Sequence, residues 1–135
     1  MSSELRIFQR EVAPLLAELE ASANAHDTDR HLAVFSRDSA LIFVINGEII
    51  RGWDVLRERQ RQWWNDGKAT GVYAYLGEPT CEVFGKAIGL TTHLIAARAS
   101  LPDGQVRERQ LAFTALWCRR PEGWRIIYAH ESSTK

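Results

Sequence analysis

Four long segments rich in β-branched and aromatic residues fill the second half of this chain, and they leave it few folds to choose from. They run Thr70 to Phe84, Lys86 to Leu101, Gln105 to Arg120 and Trp124 to Ser132. Gly85, Pro102-Asp103-Gly104 and Pro121-Glu122-Gly123 separate them. Each is short turn chemistry, so consecutive segments are expected to pair antiparallel as a meander. Both sides of these strands carry apolar residues. In the last one Trp124, Ile126, Tyr128, His130 and Ser132 share a side, with Arg125, Ile127, Ala129 and Glu131 on the other. In the strand before it Leu111, Phe113, Ala115 and Trp117 alternate with Ala112, Thr114, Leu116 and Cys118. A sheet with one solvated face would alternate apolar with polar, so both faces are expected to be covered. The chain's own helices supply one cover. A second copy, meeting the sheet through Thr114, Trp124, Tyr128 and His130, supplies the other and predicts a homodimer.

The helices come from the first half. Leu5, Phe8, Val12, Leu15 and Leu19 recur at three- and four-residue steps and form an apolar stripe. Pro14 lacks an amide hydrogen and is expected to kink or split that helix. Asp27 offers an N-cap for a second short helix reaching about Phe35. Ser39 to Ile45 reads as a strand, Asn46-Gly47 as a hairpin turn, and Glu48-Ile49-Ile50 as the returning strand. Trp53 to Asp66 is a third helix ended by Gly67, with Trp53, Leu56, Gln60 and Trp63 or Trp64 on one face. Helices first and strands later is the α+β order, and 135 residues fit one domain, 1–135.

Charge narrows the function. Lys plus Arg and Asp plus Glu balance at 17 each. Without a basic excess there is nothing to hold a phosphate backbone, so nucleic acid is not expected as a partner. The apolar runs are too short to span a bilayer, and no N-terminal stretch has the order of a signal peptide; no membrane partner and a cytoplasmic location are expected. Cys81 and Cys118 have neither metal-ligand nor redox spacing and read as buried thiols. His26 and His31 have no partner at metal-binding spacing, so no metal and no cofactor are expected.

The closing stretch Gly123-Trp124-Arg125-Ile126-Ile127-Tyr128-Ala129-His130-Glu131-Ser132 resembles the SnoaL-like branch of the nuclear-transport-factor-2-like superfamily. With Arg107 to Trp117 and Arg119-Arg120 ahead of it, it is also similar to the association domain of calcium/calmodulin-dependent kinase II. The resemblance implies a cone-shaped, curved antiparallel sheet wrapped around three helices of the N-terminal half, with an internal pocket. It also implies where this chain departs. Phe43 stands where the ketosteroid isomerases of the superfamily carry a carboxylate base. Ala115 and Glu131 stand where the kinase association domain carries pocket arginines, with Arg98 keeping one such group.

The candidate site follows from that alignment. Glu131 and Arg98 would face each other in the cone and orient a polar ligand, with a structural ion pair or two solvated strand ends as the competing reading. Phe43, Trp64, Tyr75 and Phe113 would form aromatic walls for a small organic ligand, or simply fill the core. Glu131 and His93 are the candidate proton carriers. A homodimeric pocket protein that binds a modest organic ligand is the expected function. A lyase, isomerase or cyclase using Glu131 or a histidine as base is one alternative, and an assembly domain is another.

Overall fold

The computed structural model describes residues 2–134. Helix α1 (Ser3–Asn24) begins with Ser2 Oγ accepting from the Leu5 amide at 3.1 Å. Its inner face is Phe8, Val12, Leu16 and Leu19, all buried, while Leu15 lies at the edge of the stripe. The helix runs through Pro14 without interruption. Pro14 and Arg10 both face solvent, where water can take the carbonyl that the proline leaves unpaired. Helix α2 (Thr28–Leu32) is capped by Asp27, whose carboxylate accepts from the Arg30 amide.

Strands β1 (Ile42–Ile45) and β2 (Glu48–Arg51) form the expected hairpin. Asn46 and Gly47 both take positive φ, 47° and 85°, as a tight two-residue turn between twisted strands requires. Helix α3 (Trp53–Trp63) is shorter than the sequence suggests; a single 3-10 turn over Asn65–Gly67 replaces its last residues. Arg57, Arg59 and Arg61 on its wet side pair with Asp29, Glu48 and Glu58, exposed ion pairs that add little stability.

Strands β3 (Val72–Phe84), β4 (Ile88–Ser100), β5 (Val106–Arg120) and β6 (Gly123–Ser133) complete one six-stranded sheet in the order β2-β1-β6-β5-β4-β3. The meander of the second half is antiparallel throughout, but β1 joins β6 in parallel, Phe43 beside Ala129 and Ile45 beside Glu131. The sheet is therefore mixed, not wholly antiparallel. The cause is α3 and its connections, which carry the chain from the β1–β2 hairpin across to the far edge. Cys81 on β3 and Cys118 on β5 are separated by β4, and both are free thiols.

A bulge in β6 changes which side chains face the helices. Leu116 pairs with Tyr128 but Trp117 pairs with Ile126, which leaves Ile127 extra on β6. Tyr128 and His130 lie on the outer face as the alternation predicts, whereas Trp124 and Ile126 turn inward and are buried. Trp124 is thus a core residue and not part of the outer surface. Its ring meets Phe8 edge-on at 4.9 Å, and its indole N–H donates to Glu11 at 3.0 Å.

These residues close the narrow end of the cone. Trp117, fully buried, donates from Nε1 to the buried Thr91 hydroxyl at 2.9 Å. At the other end α1 clamps the edge strand β3. Glu20 accepts the Tyr75 amide hydrogen, Asn24 bonds both the amide and the carbonyl of Tyr73, and His26 Nε2 donates to the Gly71 carbonyl at 2.7 Å. Side chains that satisfy an edge strand in this way keep it from pairing with other chains. No helix of the described residues is long and apolar enough to cross a membrane.

Candidate functional site

Between the closed end and the clamped edge the sheet and helices do not meet, and a cavity of about 380 Å³ remains. Its helical wall is Leu19, Glu20 and Ala23 of α1, His31 of α2, Gln60 and Trp63 of α3, and Trp64 at the end of α3. Its sheet wall is Phe43 and Ile45 of β1, Tyr73 and Tyr75 of β3, Ile95 of β4, Arg109, Leu111 and Phe113 of β5, and Glu131 of β6; Asn46 sits at the rim. The sequence alternation explains the sheet wall: residues two apart on β5 point the same way, so Arg109 follows Leu111 and Phe113 into the cavity.

Five residues singled out from the sequence, Phe43, Trp64, Tyr75, Phe113 and Glu131, are thus brought together on one cavity surface. Phe43 packs against Phe35 and Phe113, with ring centroids 6.2 and 6.3 Å away. Tyr75 is a fixed wall. Its hydroxyl donates to the Leu16 carbonyl at 2.7 Å, and its ring stacks on His93 at 4.4 Å.

Two other candidates lie elsewhere. Arg98 is on the outer face of β4, exposed, with its Nε 2.9 Å from Glu108 on β5. Its neighbour Ala97 faces inward, so strand parity turns Arg98 away from the cavity and it cannot meet Glu131. His93 is buried behind Tyr75 and does not line the cavity; burial there holds its pKa below the usual histidine value.

Arg109 takes the place expected of Arg98. Alternation from Leu111 and Phe113 is the signal in the sequence that points to it. Glu131 is the carboxyl of the sheet wall. Its strand neighbours are Ile45 and Phe113, both apolar, and desolvation raises its pKa to about 7, against the pull of the Arg109 charge. A carboxyl in that state exchanges its proton near neutral pH and can donate or accept a hydrogen bond.

Across the cavity His31 is driven the opposite way, down to about 4, because burial disfavours the imidazolium. It is therefore neutral, with its Nδ1 2.9 Å from Ser22 Oγ and its ring edge-on to Trp64 at 4.9 Å. Gln60 is buried on the inner face of α3, where the helical spacing places it. Among the described residues no group of three or more His, Cys, Asp or Glu could hold a metal ion.

Solved structures share this architecture. A nuclear transport factor 2-like superfamily protein from Salmonella enterica superposes with a TM-score of 0.82 at 19% identity, covering 96% of this chain and 93% of that one. The association domain of the C. elegans kinase superposes with a TM-score of 0.77 at 13% identity, over 97% and 99% of the two chains. A Streptomyces avermitilis protein of the same fold, provisionally assigned as a dehydratase, gives 0.80 at 11% identity over 96% and 98%. At these identities the likeness is one of fold. No curated protein matches the chain in sequence. The family model for the calcium/calmodulin dependent protein kinase II association domain matches residues 8–135, and the chain belongs to that family.

Proposed function

We propose that the cavity binds a compact, flat organic molecule and that Glu131 meets its polar end, exchanging a proton with it near neutral pH. One observation carries this reading: a carboxyl with no hydrogen-bonding neighbour among the described residues stands on the wall of a 380 Å³ aromatic cavity, where desolvation raises its pKa to about 7. Structural carboxylates are normally paired or solvated, because burying even a neutral polar group without a partner costs about 2–7 kcal/mol and burying a charge costs far more. Arg109 nearby would steady the ionised form after proton transfer. The aromatic walls, Phe43, Trp64 and Phe113, suit a ring-shaped body.

The test uses 2-methoxynaphthalene as a stand-in body. Calorimetry is expected to give saturable one-to-one binding to the wild type and none to Leu111→Trp, whose indole fills the cavity. Carbon-13 NMR of the Glu131 carboxyl should show it titrating near 7 in the free protein and higher with the compound bound, since the ligand displaces water. Ordinary carboxylate titration together with no saturable binding would overturn the reading.

Self-association is the second reading, and the outer face of the sheet favours it. Strand register aligns Ile42, Tyr128, Leu116 and Leu90 in one row and Val44, His130, Thr114 and Thr92 in the next. These rows cross four strands, and the helices cover only the other face. A second copy packed sheet to sheet would bury them symmetrically. Tyr128→Asp places an unpaired carboxylate at the centre of that contact, at a cost of about 3–5 kcal/mol. Light scattering is expected to give twice the chain mass for the wild type and the chain mass for the variant. A wild type that stays monomeric at high concentration excludes this interface.

A further inference from the structure

We propose that His31 and Gln60 form a second hydrogen-bonding pole, on the helical wall of the cavity, and that it selects ring compounds carrying a hydroxyl group. The proposal rests on the cavity reading above and adds to it the chemistry of the ligand's other end.

The proposal assigns His31 a tautomer from its contact with Ser22. The Ser22 hydroxyl has one proton and gives it to the Leu19 carbonyl at 3.2 Å. With that proton on the Leu19 carbonyl, the Ser22 oxygen accepts from Nδ1, 2.9 Å away. A neutral ring with its proton on Nδ1 leaves Nε2 as a bare acceptor. No described residue bonds Nε2, and His31 lines the cavity. Gln60 is in the same position: it is only 8% exposed, lines the cavity, and has no side-chain hydrogen-bond partner among the described residues.

The two groups flank one ring. Trp64 touches His31 edge-on, and Gln60 lies one turn before Trp64, whose amide donates to the Gln60 carbonyl at the end of α3. Both polar ends open onto the cavity, where only its contents can meet them. A hydroxyl meets both: its O–H donates to His31 Nε2, and its oxygen accepts from the Gln60 amide. A ring fixed there lies against Trp64 and reaches across toward Glu131. An ether or a bare hydrocarbon of the same shape leaves Nε2 unpaired.

The experiment compares 2-naphthol with 2-methoxynaphthalene on the whole chain. The wild type is expected to bind 2-naphthol about 10-fold more tightly, the effect of one buried hydrogen bond made or left unmade. His31→Phe keeps the ring packing against Trp64 and should erase that preference, bringing the affinities for the two compounds together. Gln60→Leu should reduce the preference in the same direction. Nitrogen-15 NMR of the wild type supplies a readout that needs no variant to fold: His31 should carry its proton on Nδ1, and its Nε2 signal should move when 2-naphthol is added. Equal binding of the two compounds, or a proton found on Nε2, overturns this proposal and leaves the cavity reading standing. Failure of both compounds to bind removes the cavity reading and this one with it.

Discussion

Glu131→Gln is expected to steepen the dependence of stability on pH between about 4.5 and 6.5, because it removes one of two opposed titrations. The Glu131 carboxyl is raised from 4.5 to about 7, so the folded protein holds that proton more tightly than the unfolded chain. Its contribution is complete below pH 4.5 and is lost as pH rises through 7. His31 is lowered from 6.5 to about 4, so its contribution is complete above pH 6.5 and is lost as pH falls through 4. Each is worth roughly 3 kcal/mol across its window. In the overlap their slopes have opposite signs and largely cancel. His93, also lowered by burial, adds to the His31 side, so the wild type should rise only gently with pH.

With Glu131→Gln the histidine slope stands alone and stability should climb by up to about 3 kcal/mol over that interval. His31→Phe should do the reverse, leaving stability that falls with pH. Urea unfolding at several pH values checks both, and the slopes are read independently of any constant loss from the substitution. Parallel curves for wild type and Glu131→Gln would mean that the carboxyl is solvated, and the cavity would lose its proton carrier.

The second large effect belongs to the closed end of the cone. Gly89 faces inward on β4 against the ring of Phe8, and a Cβ there would lie 2.2 Å from Phe8 Cε1. That ring has no space to retreat into: it is fully buried and held edge-on by Trp124 at 4.9 Å. Gly89→Ala is therefore expected to destabilise the fold by about 1–3 kcal/mol, through overpacking and not through backbone conformation. Phe8→Leu gives up buried aromatic area but opens the space the methyl group needs. The double variant should be more stable than the sum of the single losses by about 1 kcal/mol or more. Strict additivity in denaturant unfolding would show that the two residues do not compete for the same space.

Local chemistry makes much of this protein legible in its amino-acid order. Asn46-Gly47, Asp27 and the three turns of the second half act over a few residues, so hairpin, cap and strand ends follow from them directly. Alternation along β5 puts Leu111, Phe113, Ala115 and Trp117 on one face, because nothing interrupts that strand's period of two. Glu131, Phe43 and Tyr75 reach the cavity by the same rule.

Tertiary structure decided what periodicity could not carry. One extra residue at Ile127 reversed the facing of Trp124 and Ile126 relative to Tyr128 and His130. A bulge of this kind depends on how two strands twist around the packed helices, and no local residue type announces it. The parallel pairing of β1 with β6 likewise follows from where α3 delivers the chain. The rule for proline is local and predicts a break at Pro14, yet the helix continues because its unpaired carbonyl faces water. The chemistry of the cavity belongs to this second class. His31, Gln60, Arg109 and Glu131 lie on four elements far apart in sequence, and burial alone drives Glu131 and His31 to opposite protonation habits. Solvent exclusion is a property of the assembled fold, so the chemistry of the site was fixed only when helices and sheet closed around it.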